Sequence, residues 1–502
     1  MSLLGIDIGS GSCKGVVFDT AGEQLASETI AYSTNGNGSP FVEINASVFK
    51  DAVFSVIRKL SSQVKYDPVE ALAISSHGET IIPVNSAGNS VSSAIMNSDN
   101  RAVDEASWWE ENFGAQRIYE ITGLPLHAMF SLNKIMWLRK HQPNIYKKAN
   151  KFLSVGDYIL AQLGLTPYTD YSLASRTMAF DIAKCDWSDE ILNHCGVPRE
   201  KLPIPLEPGA YVGKLSRSIA ANLGLNEGTV VALGGHDQPC GALGAGAINN
   251  GDVYDSAGTY ECMVAVSAQP MNSCSALKYS LNSYRHVVPG KFVTLAFFPA
   301  ALVSSWFIDQ FCYEDKFVAL QNKRNLHEVL ATNVLHYAAE PTGLCITPHF
   351  TGSCTPYWDV NARGVMTGFT PSITRYHIYK AIFEGIACEL RVNTDALEEI
   401  VTPFKNMNIS GGNSRLPFTV QLRADITGKT IHALENDESV CLGAAILAGI
   451  AIGKYKDVKD AVNKTVRVTK TYSPNIKTQK QYQKQLEQYK LLYPSLAPFR
   501  EI

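Results

Sequence analysis

The chain has 502 residues, of which 45% are hydrophobic and 18% charged, and its formal net charge is −3. This balance excludes the basic field that favours binding to nucleic acid or to an anionic membrane, and no apolar run reaches the ~18 residues of a membrane span. A chain of this length predicts two or more domains, because single hydrophobic cores rarely grow beyond ~250–300 residues.

The cysteines and the N-terminus predict a cytoplasmic protein. The 11 cysteines are dispersed, with no Cys-x-x-Cys pair and no matching histidine spacing, so we expect reduced thiols rather than disulfides or a zinc site. The first residues include an acid at Asp7 and no basic leader with a cleavage site, which is unlike a signal peptide.

The first predicted element is a hairpin of two apolar strands, residues 3–9 and 15–19. Its turn and the start of its second strand supply four residues suited to a phosphate: Ser10, Gly11, Ser12 and Lys14. Backbone N–H groups on such a turn approach phosphate closely, and Asp7 on the facing strand is suited to hydrated Mg²⁺. An ordinary turn is the alternative, since no Walker motif occurs.

Two later predicted strands, residues 69–74 and 94–96, each lead into a polar segment. These segments contain the candidate ligand-binding side chains His77, Glu79, Asp99 and Arg101. Polar residues after apolar runs form the binding loops of α/β sheets. The alternatives are a structural histidine at position 77 and a local ion pair between the side chains at positions 99 and 101.

The segment 233–246 has the most distinctive chemistry in the chain. It follows a predicted strand at 229–233, places His236, Asp237 and Gln238 on a turn, and continues into small residues spaced as a closely packed helix. A carboxylate at a strand-to-helix turn is well placed to act on a bound hydroxyl. The alternative is that Asp237 serves only as a helix N-cap.

The second half of the chain repeats the first hairpin. Strands are predicted at 251–256 and 260–266, and the turn between them contains Gly258 and Thr259. Two phosphate-type hairpins, one opening each half, predict two related domains that enclose a nucleotide.

A third glycine turn follows a predicted strand at 407–409. Gly411 and Gly412 allow the backbone to lie against a base or ribose, and Asn413 offers an amide. The remaining predictions are a loop-rich segment over 166–208 and helices over 129–141, 382–397, 417–425, 439–450 and 477–492.

These segments, in this order and over nearly the whole chain, resemble the FGGY carbohydrate kinases. The resemblance covers the hairpin with Asp7 and Lys14, the Asp99/Arg101 segment, residues 234–238, the Gly258–Thr259 turn, residues 356–368 and the turn at 410–413. Residues 129–141 and 363–384 also resemble the two family signatures, with Phe369 where a smaller aliphatic residue is usual.

The resemblance implies an α/β fold of two actin-like, ribonuclease H-like domains with a nucleotide and substrate cleft between them. The expected division is an N-terminal domain over 1–246 for the sugar and a C-terminal domain over 247–502 for the nucleotide. The implied activity is ATP-dependent phosphorylation of a sugar or polyol hydroxyl, with Mg²⁺. Dimers are common in the family, so a homodimer is one expected assembly.

The family's functional residues carry over position by position. Asp237 would be the catalytic base and, with Asp7, would hold Mg²⁺. The ATP phosphates would face Ser10, Gly11, Ser12, Lys14, Gly258 and Thr259, and the adenosine would face Gly411, Gly412 and Asn413. The sugar would contact His77, Glu79, Asp99, Arg101 and Gln238.

The resemblance favours a ketopentose or related polyol, similar to xylulose, as the substrate. Glu79 and Thr80 are similar to glycerol kinases, but Met129 replaces the tyrosine of those enzymes, and Asn97 and Tyr260 also depart from the family pattern. The alternatives are a glycerol or other polyol kinase, an inactive sugar-binding relative, and an actin-like ATPase chaperone.

Overall fold

Two large β-sheets organise the protein, which is described for residues 2–33 and 41–500 by a computed structural model. The strands of the first half are β1 (Ser2–Ile8), β2 (Ser12–Asp19), β3 (Gln24–Ala31), β4 (Glu43–Ile44), β5 (Val69–Ser76), β6 (Ile82–Val84), β7 (Ala94–Ile95), β8 (Lys151–Leu153), β9 (Thr169–Asp170), β10 (Phe180–Asp181), β11 (Asp186–Trp187), β12 (Pro205–Leu206), β13 (Tyr211–Lys214) and β14 (Val230–His236). Those of the second half are β15 (Val253–Ala257), β16 (Tyr260–Ser267), β17 (Asn282–Arg285), β18 (Phe292–Pro299), β19 (Cys345–Ile346), β20 (Met366–Thr367), β21 (Asn406–Ser410), β22 (Thr430–Leu434) and β23 (Val468–Tyr472).

Helices cover both sheets. In the first half they are α1 (Ala46–Gln63), α2 (Val103–Asn112), α3 (Ala115–Thr122), α4 (Ser131–His141), α5 (Pro143–Lys148), α6 (Val155–Gln162), α7 (Tyr171–Ser175), α8 (Asp189–Cys195), α9 (Arg217–Leu223) and α10 (Asp237–Gly244). In the second half they are α11 (Cys274–Lys278), α12 (Ala301–Phe311), α13 (Tyr313–Gln321), α14 (Leu326–Tyr337), α15 (Arg375–Glu398), α16 (Pro417–Thr427), α17 (Ser439–Ala451), α18 (Val458–Thr465) and α19 (Ile476–Ser495). Short 3₁₀ helices lie at Arg199–Lys201, Gly412–Arg415 and Ala497–Phe499.

The two sheets repeat one topology. The first has the order β13-β14-β5-β1-β2-β3, and the second has the order β23-β22-β21-β15-β16-β18-β17. In each, the opening strand pairs antiparallel with the next strand and parallel with a later one, as β1 does with β2 and β5 and as β15 does with β16 and β21. The predicted duplicated α/β architecture is therefore confirmed, and β17 is an added strand at the edge of the second sheet.

Helix α17 belongs to the second half of the chain but packs on the first sheet. A Cβ on Gly5 of β1 would lie 1.8 Å from the carbonyl oxygen of Cys441, and one on Gly443 would lie 1.9 Å from that of Cys240 in α10. Such approaches are open only to glycine. Apolar side chains of both halves, including Leu3 and Ala444, share one buried core there.

Most predicted elements are present, with shifted ends. The helix predicted over 129–141 begins at Ser131, and its Trp137 is partly exposed rather than inward. The segment predicted to be loop-rich, 166–208, contains only short strands and helices, of which α7 and α8 are the longest. The division predicted at 246/247 falls in the connection between α10 and β15 and stays a prediction.

Within residues 2–33 and 41–500, no helix combines the length and the apolar character needed to cross a membrane.

Candidate active site

Asp7 and Asp237 lie at the same edge of the first sheet. Asp7 is near the end of β1, and Asp237 directly follows β14, which is separated from β1 only by the parallel strand β5. Helix α10 begins at Asp237, and its N-cap is His236, so the N-cap interpretation of Asp237 was wrong. In the described part of the chain, the buried Oδ1 atoms of Asp7 and Asp237 have no hydrogen-bond partner.

The surroundings of these carboxylates favour their protonated forms. Burial, then the charges of Asp7 and Glu79, raise the pKa of Asp237 to about 8. Burial and the charge of Glu438 raise the pKa of Asp7 to about 7, although Lys14 acts in the opposite direction. Two acids that repel one another, each with one buried oxygen outside any hydrogen bond, make a site that a cation would stabilise.

The two carboxylates fit Mg²⁺ held largely through water. Among the described residues, no group of three or more His, Cys, Asp or Glu side chains is arranged to hold a metal ion. Mg²⁺ commonly binds through one or two carboxylates and substrate phosphates while it keeps several waters. The unpartnered oxygens of Asp7 and Asp237 match that donor set.

Lys14, predicted to face phosphate, is held by the other half of the chain. Its Nζ lies 2.6 Å from Glu438 Oε1, and both side chains are partly exposed. Glu438 immediately precedes α17, so the close packing of that helix on β1 sets the distance of this ion pair. Its exposure gives it little net stability in water.

The first and third glycine turns have room for a ligand on one side, whereas a Cβ on Gly258 in the second would lie 3.2 Å from the carbonyl oxygen of Tyr260. A Cβ on Gly11 or on Gly412 would meet nothing within 4 Å. Gly411 has a φ of 103°, and a Cβ there would lie 2.9 Å from the carbonyl oxygen of Ala257, so the third turn packs against the second hairpin. The buried Nδ2 of Asn413 has no hydrogen-bond partner within the described residues.

A hydrogen bond between two serines joins the start of the third turn to the first residue of α17, next to Glu438. Ser410, which ends β21, has its Oγ 2.8 Å from Ser439 Oγ, and Ser439 follows Glu438. The structure therefore brings the turns at Gly258–Thr259 and Gly411–Asn413 near the first hairpin, with Ser10 exposed and Ser12 half-buried.

His77 and Glu79 lie in the loop after β5 and are both buried. The ring nitrogens of His77 lie 2.9 Å from the carbonyl oxygen of Ile8 and 2.7 Å from Thr80 Oγ1, as expected of a structural histidine. Glu79 has a φ of 62°, a left-handed conformation that is uncommon outside glycine and is often found at functional sites.

A buried lysine fixes this loop. Lys134 of α4 is fully buried, and its Nζ donates hydrogen bonds to the carbonyl oxygens of Glu79 (3.0 Å) and Met96 (2.7 Å). Burial lowers its pKa to about 7. Lys134 thus ties together the loops that follow β5 and β7, which contain four of the predicted substrate residues.

Asp99 and Arg101 form the local ion pair that was the alternative interpretation. Arg101 donates to both oxygens of Asp99 at 2.8 and 2.7 Å, and Asp99 also accepts the backbone N–H of Val42 at 2.6 Å. Glu43 lies 2.7 Å from the same guanidinium. A contact of these two side chains with substrate stays a prediction, as does that of the half-buried Gln238, whose Oε1 lacks a partner among the described residues.

Sequence reasoning missed Arg176, which lies directly beside the site. Its Nε donates to Glu79 Oε1 at 2.5 Å, and its guanidinium stacks over Phe130 and Tyr284. A Cβ on Gly78 would lie 2.8 Å from Arg176 Cγ, so the arginine stem occupies the space that Gly78 leaves. No local pattern in the sequence marks this contact.

His236, placed on the predicted turn but given no role, contacts the catalytic candidate. Its Nε2 lies 3.3 Å from Asp237 Oδ1, and its Nδ1 lies 2.8 Å from Tyr284 Oη. Burial, then the charge of Arg176, hold the pKa of His236 well below its usual range, so the ring is neutral.

The duplicated sheet, with acids and glycine turns at one edge, defines a two-domain α/β fold of the actin-like class. The family models for the N-terminal and C-terminal domains of the FGGY family of carbohydrate kinases match residues 2–244 and 253–452. The chain therefore belongs to the FGGY family of carbohydrate kinases and is a sugar kinase.

Similar proteins act on different sugars. The chain is 26% identical over 494 residues to a xylulose kinase of Bacillus subtilis, covering 98% of this chain and 96% of that one. It is 27% identical over 483 residues to a gluconokinase of the same species, covering 96% and 93%. A ligand-bound xylulose kinase from Lactobacillus acidophilus superposes with a TM-score of 0.88 at 25% identity, covering 99% and 98%.

Proposed function

We propose that this protein transfers the γ-phosphoryl group of Mg·ATP to a hydroxyl of a ketopentose or related sugar or polyol, with a xylulose-like sugar as the preferred substrate. The observation that carries the proposal is the Asp237 carboxylate, whose buried Oδ1 has no hydrogen-bond partner among the described residues and which lies at a strand end near Glu79 and Asp7. The similarity to xylulose kinases supports a pentulose, and the similarity to gluconokinases makes a sugar acid the nearest competitor.

Asp237 is the general base of the proposed reaction. Its carboxylate accepts the proton of the substrate hydroxyl as that oxygen attacks the γ-phosphorus in line, and Glu79 holds a neighbouring hydroxyl. An ionised base is required, so the protonated form favoured by the bare site must lose its proton before attack. Bound Mg²⁺ would supply the positive charge that lowers the pKa values of Asp7 and Asp237 and neutralises the phosphates.

The nucleotide lies between the two halves in this proposal. Lys14 and the turn Ser10–Ser12 face the phosphates from the first half, and Gly258 and Thr259 face them from the second. Gly411, Gly412 and Asn413 contact the adenosine, where Gly412 leaves open space and Asn413 offers an unpartnered amide. Lys14 must exchange Glu438 for phosphate when ATP binds.

The two domains have different roles in the proposed reaction. Residues 1–246 bind the sugar and supply the base, and residues 247–502 bind the nucleotide. The protein works in the cytoplasm, where ATP is available and thiols stay reduced, and all 11 cysteines are free. A homodimer stays a prediction from the family resemblance.

The test is ADP release from Mg·ATP across a panel of xylulose, ribulose, gluconate, glycerol and aldoses. We expect one pentulose to exceed the others in kcat/KM and Asp237→Ala to remove its turnover while ATP binding persists. Turnover in Asp237→Ala equal to that of the unaltered protein would refute the base assignment. A preference for glycerol or gluconate over every pentulose would refute the substrate. ATP binding without turnover on any compound would favour an inactive sugar-binding relative, against which the presence of Asp7, Lys14, Asp237 and Thr259 argues.

A further inference from the structure

Strand β17 carries two buried polar side chains, Asn282 and Tyr284, that contact residues next to the proposed sugar site. This strand is the one added at the edge of the second sheet, without a counterpart in the first. Asn282 and Tyr284 are two residues apart, so they point to the same face of the strand. Their exposed fractions are 1% and 0%, and both contact side chains of the first half.

Tyr284 sets the orientation of His236. Its hydroxyl lies 2.8 Å from Nδ1, and the other ring nitrogen lies 3.3 Å from Asp237 Oδ1 without hydrogen-bond alignment. A neutral imidazole has one N–H donor and one acceptor. When Tyr284 donates to Nδ1, the ring proton is on Nε2, the nitrogen that lies 3.3 Å from Asp237 Oδ1.

Asn282 contacts the second carboxylate of the site, Glu79, through Arg176. Its Oδ1 accepts a hydrogen bond of 3.0 Å from Arg176 Nη1, and Arg176 Nε donates to Glu79 Oε1. The guanidinium also stacks on the ring of Tyr284, with 4.9 Å between its carbon and the ring centroid. One strand of the second half thus reaches both Asp237 and Glu79 through one intermediate side chain each.

We propose that Tyr284 and Asn282 are positioning residues for phosphoryl transfer, which act through His236 on Asp237 and through Arg176 on Glu79. The inference rests on the proposed function in that Asp237 is taken as the base and Glu79 as a sugar ligand. Neither Tyr284 nor Asn282 touches the reacting atoms. Their effect is to align the two carboxylates only when the second sheet is seated against the first half.

The first test compares Tyr284→Phe, His236→Gln and His236→Asn on the preferred sugar. Tyr284→Phe removes one hydrogen bond and should lower kcat by roughly 3- to 10-fold with KM for ATP unchanged. A glutamine amide nitrogen lies near the position of Nε2, whereas that of asparagine lies near Nδ1. His236→Gln should therefore retain more activity than His236→Asn. Equal kcat for these two variants, or an unaltered kcat in Tyr284→Phe, would overturn the inference.

The contact from Asn282 through Arg176 to Glu79 should affect KM for the sugar. Asn282→Ala removes the partner of Arg176 Nη1 and should raise KM for the sugar, because Arg176 then holds Glu79 in a less fixed orientation, with KM for ATP unchanged. A change confined to thermal stability, with both KM values and kcat unaltered, would overturn this half of the inference.

The second test does not depend on turnover. In protein labelled with ¹⁵N-histidine, the imidazole nitrogen shifts of His236, assigned with His236→Gln, report which nitrogen bears the proton. We expect Tyr284→Phe to shift them, and unchanged shifts would overturn the coupling of Tyr284 to His236. Turnover that is independent of Asp237 would refute the proposed function, and the imidazole shifts would still decide the coupling. Should Tyr284→Phe fail to fold, the imidazole shifts of the unaltered protein decide it, because a proton on Nδ1 instead of Nε2 would overturn the coupling.

Discussion

Replacing Asp237 with asparagine should abolish activity and stabilise the metal-free protein. An aspartate in an unfolded chain ionises near pH 4, whereas burial and the charges of Asp7 and Glu79 raise the pKa of Asp237 to about 8 in the folded protein. Between these values folding takes up a proton. The stability due to that proton is fully present below pH 4 and is lost as the pH rises through 8.

The magnitude follows from the proton linkage. One proton taken up on folding changes the free energy of unfolding by at most ~1.4 kcal/mol per pH unit. The 23% exposure of the Asp237 side chain reduces the pKa shift and so narrows the pH range over which this slope applies. The substituted amide takes up no proton, so Asp237→Asn should gain up to ~1.4 kcal/mol relative to the unaltered protein for each unit from about pH 5.5 to 7.5. Its kcat should fall about 10²- to 10⁴-fold.

The assay is urea unfolding at pH 5.5, 6.5, 7.5 and 8.5 in buffer with a chelator. Glu110→Gln, on the exposed side of α2, is the matched control and should leave the pH profile unchanged. Parallel profiles for Asp237→Asn and the unaltered protein would refute the argument that burial penalises charge at this position. Retained turnover would refute the assignment of the base.

Two further substitutions test the contact between the halves and the ion pair at the site. Gly443→Ala places a Cβ 1.9 Å from the carbonyl oxygen of Cys240 and must displace α17, so urea unfolding should show a loss of about 1–3 kcal/mol or more. Gly412→Ala, where the Cβ meets nothing within 4 Å, is its control, and an equal loss in both would contradict the packing argument. Glu438→Gln releases Lys14 from its 2.6 Å ion pair and removes a negative charge beside the phosphates, so ATP should bind several-fold more tightly by calorimetry. Unchanged or weaker ATP binding would show that Glu438 does not compete with phosphate for this lysine.

Features encoded by neighbouring residues were predictable from the sequence. The two hairpins follow from apolar runs separated by glycine and serine, and the C-terminal end of α16 follows from Gly428, which adopts a left-handed conformation. The position of Asp237 between a strand and a helix was predictable because a short apolar run precedes it and small residues follow it. Both properties lie within one segment of the chain.

The rest of the site depends on residues far apart in the sequence. Arg176 lies 97 positions from Glu79, in a segment without hydrophobic periodicity, and Tyr284 lies 48 positions from His236. Glu438 is 424 positions from Lys14. These contacts form only when distant segments of the chain pack together, so the spacing of residues within one segment could not predict them.

The packing of α17 has a consequence for how the chain folds during its synthesis. The face of the first sheet that includes Leu3, Ala73 and Ala232 belongs to a core shared with α17, which the ribosome makes more than 200 residues after strand β14. Until then, this apolar face of the nascent domain is uncovered, and transiently exposed apolar surface promotes aggregation. The N-terminal half expressed alone would retain that uncovered face permanently. Its folding is therefore completed late in translation, after most of the second half has been made.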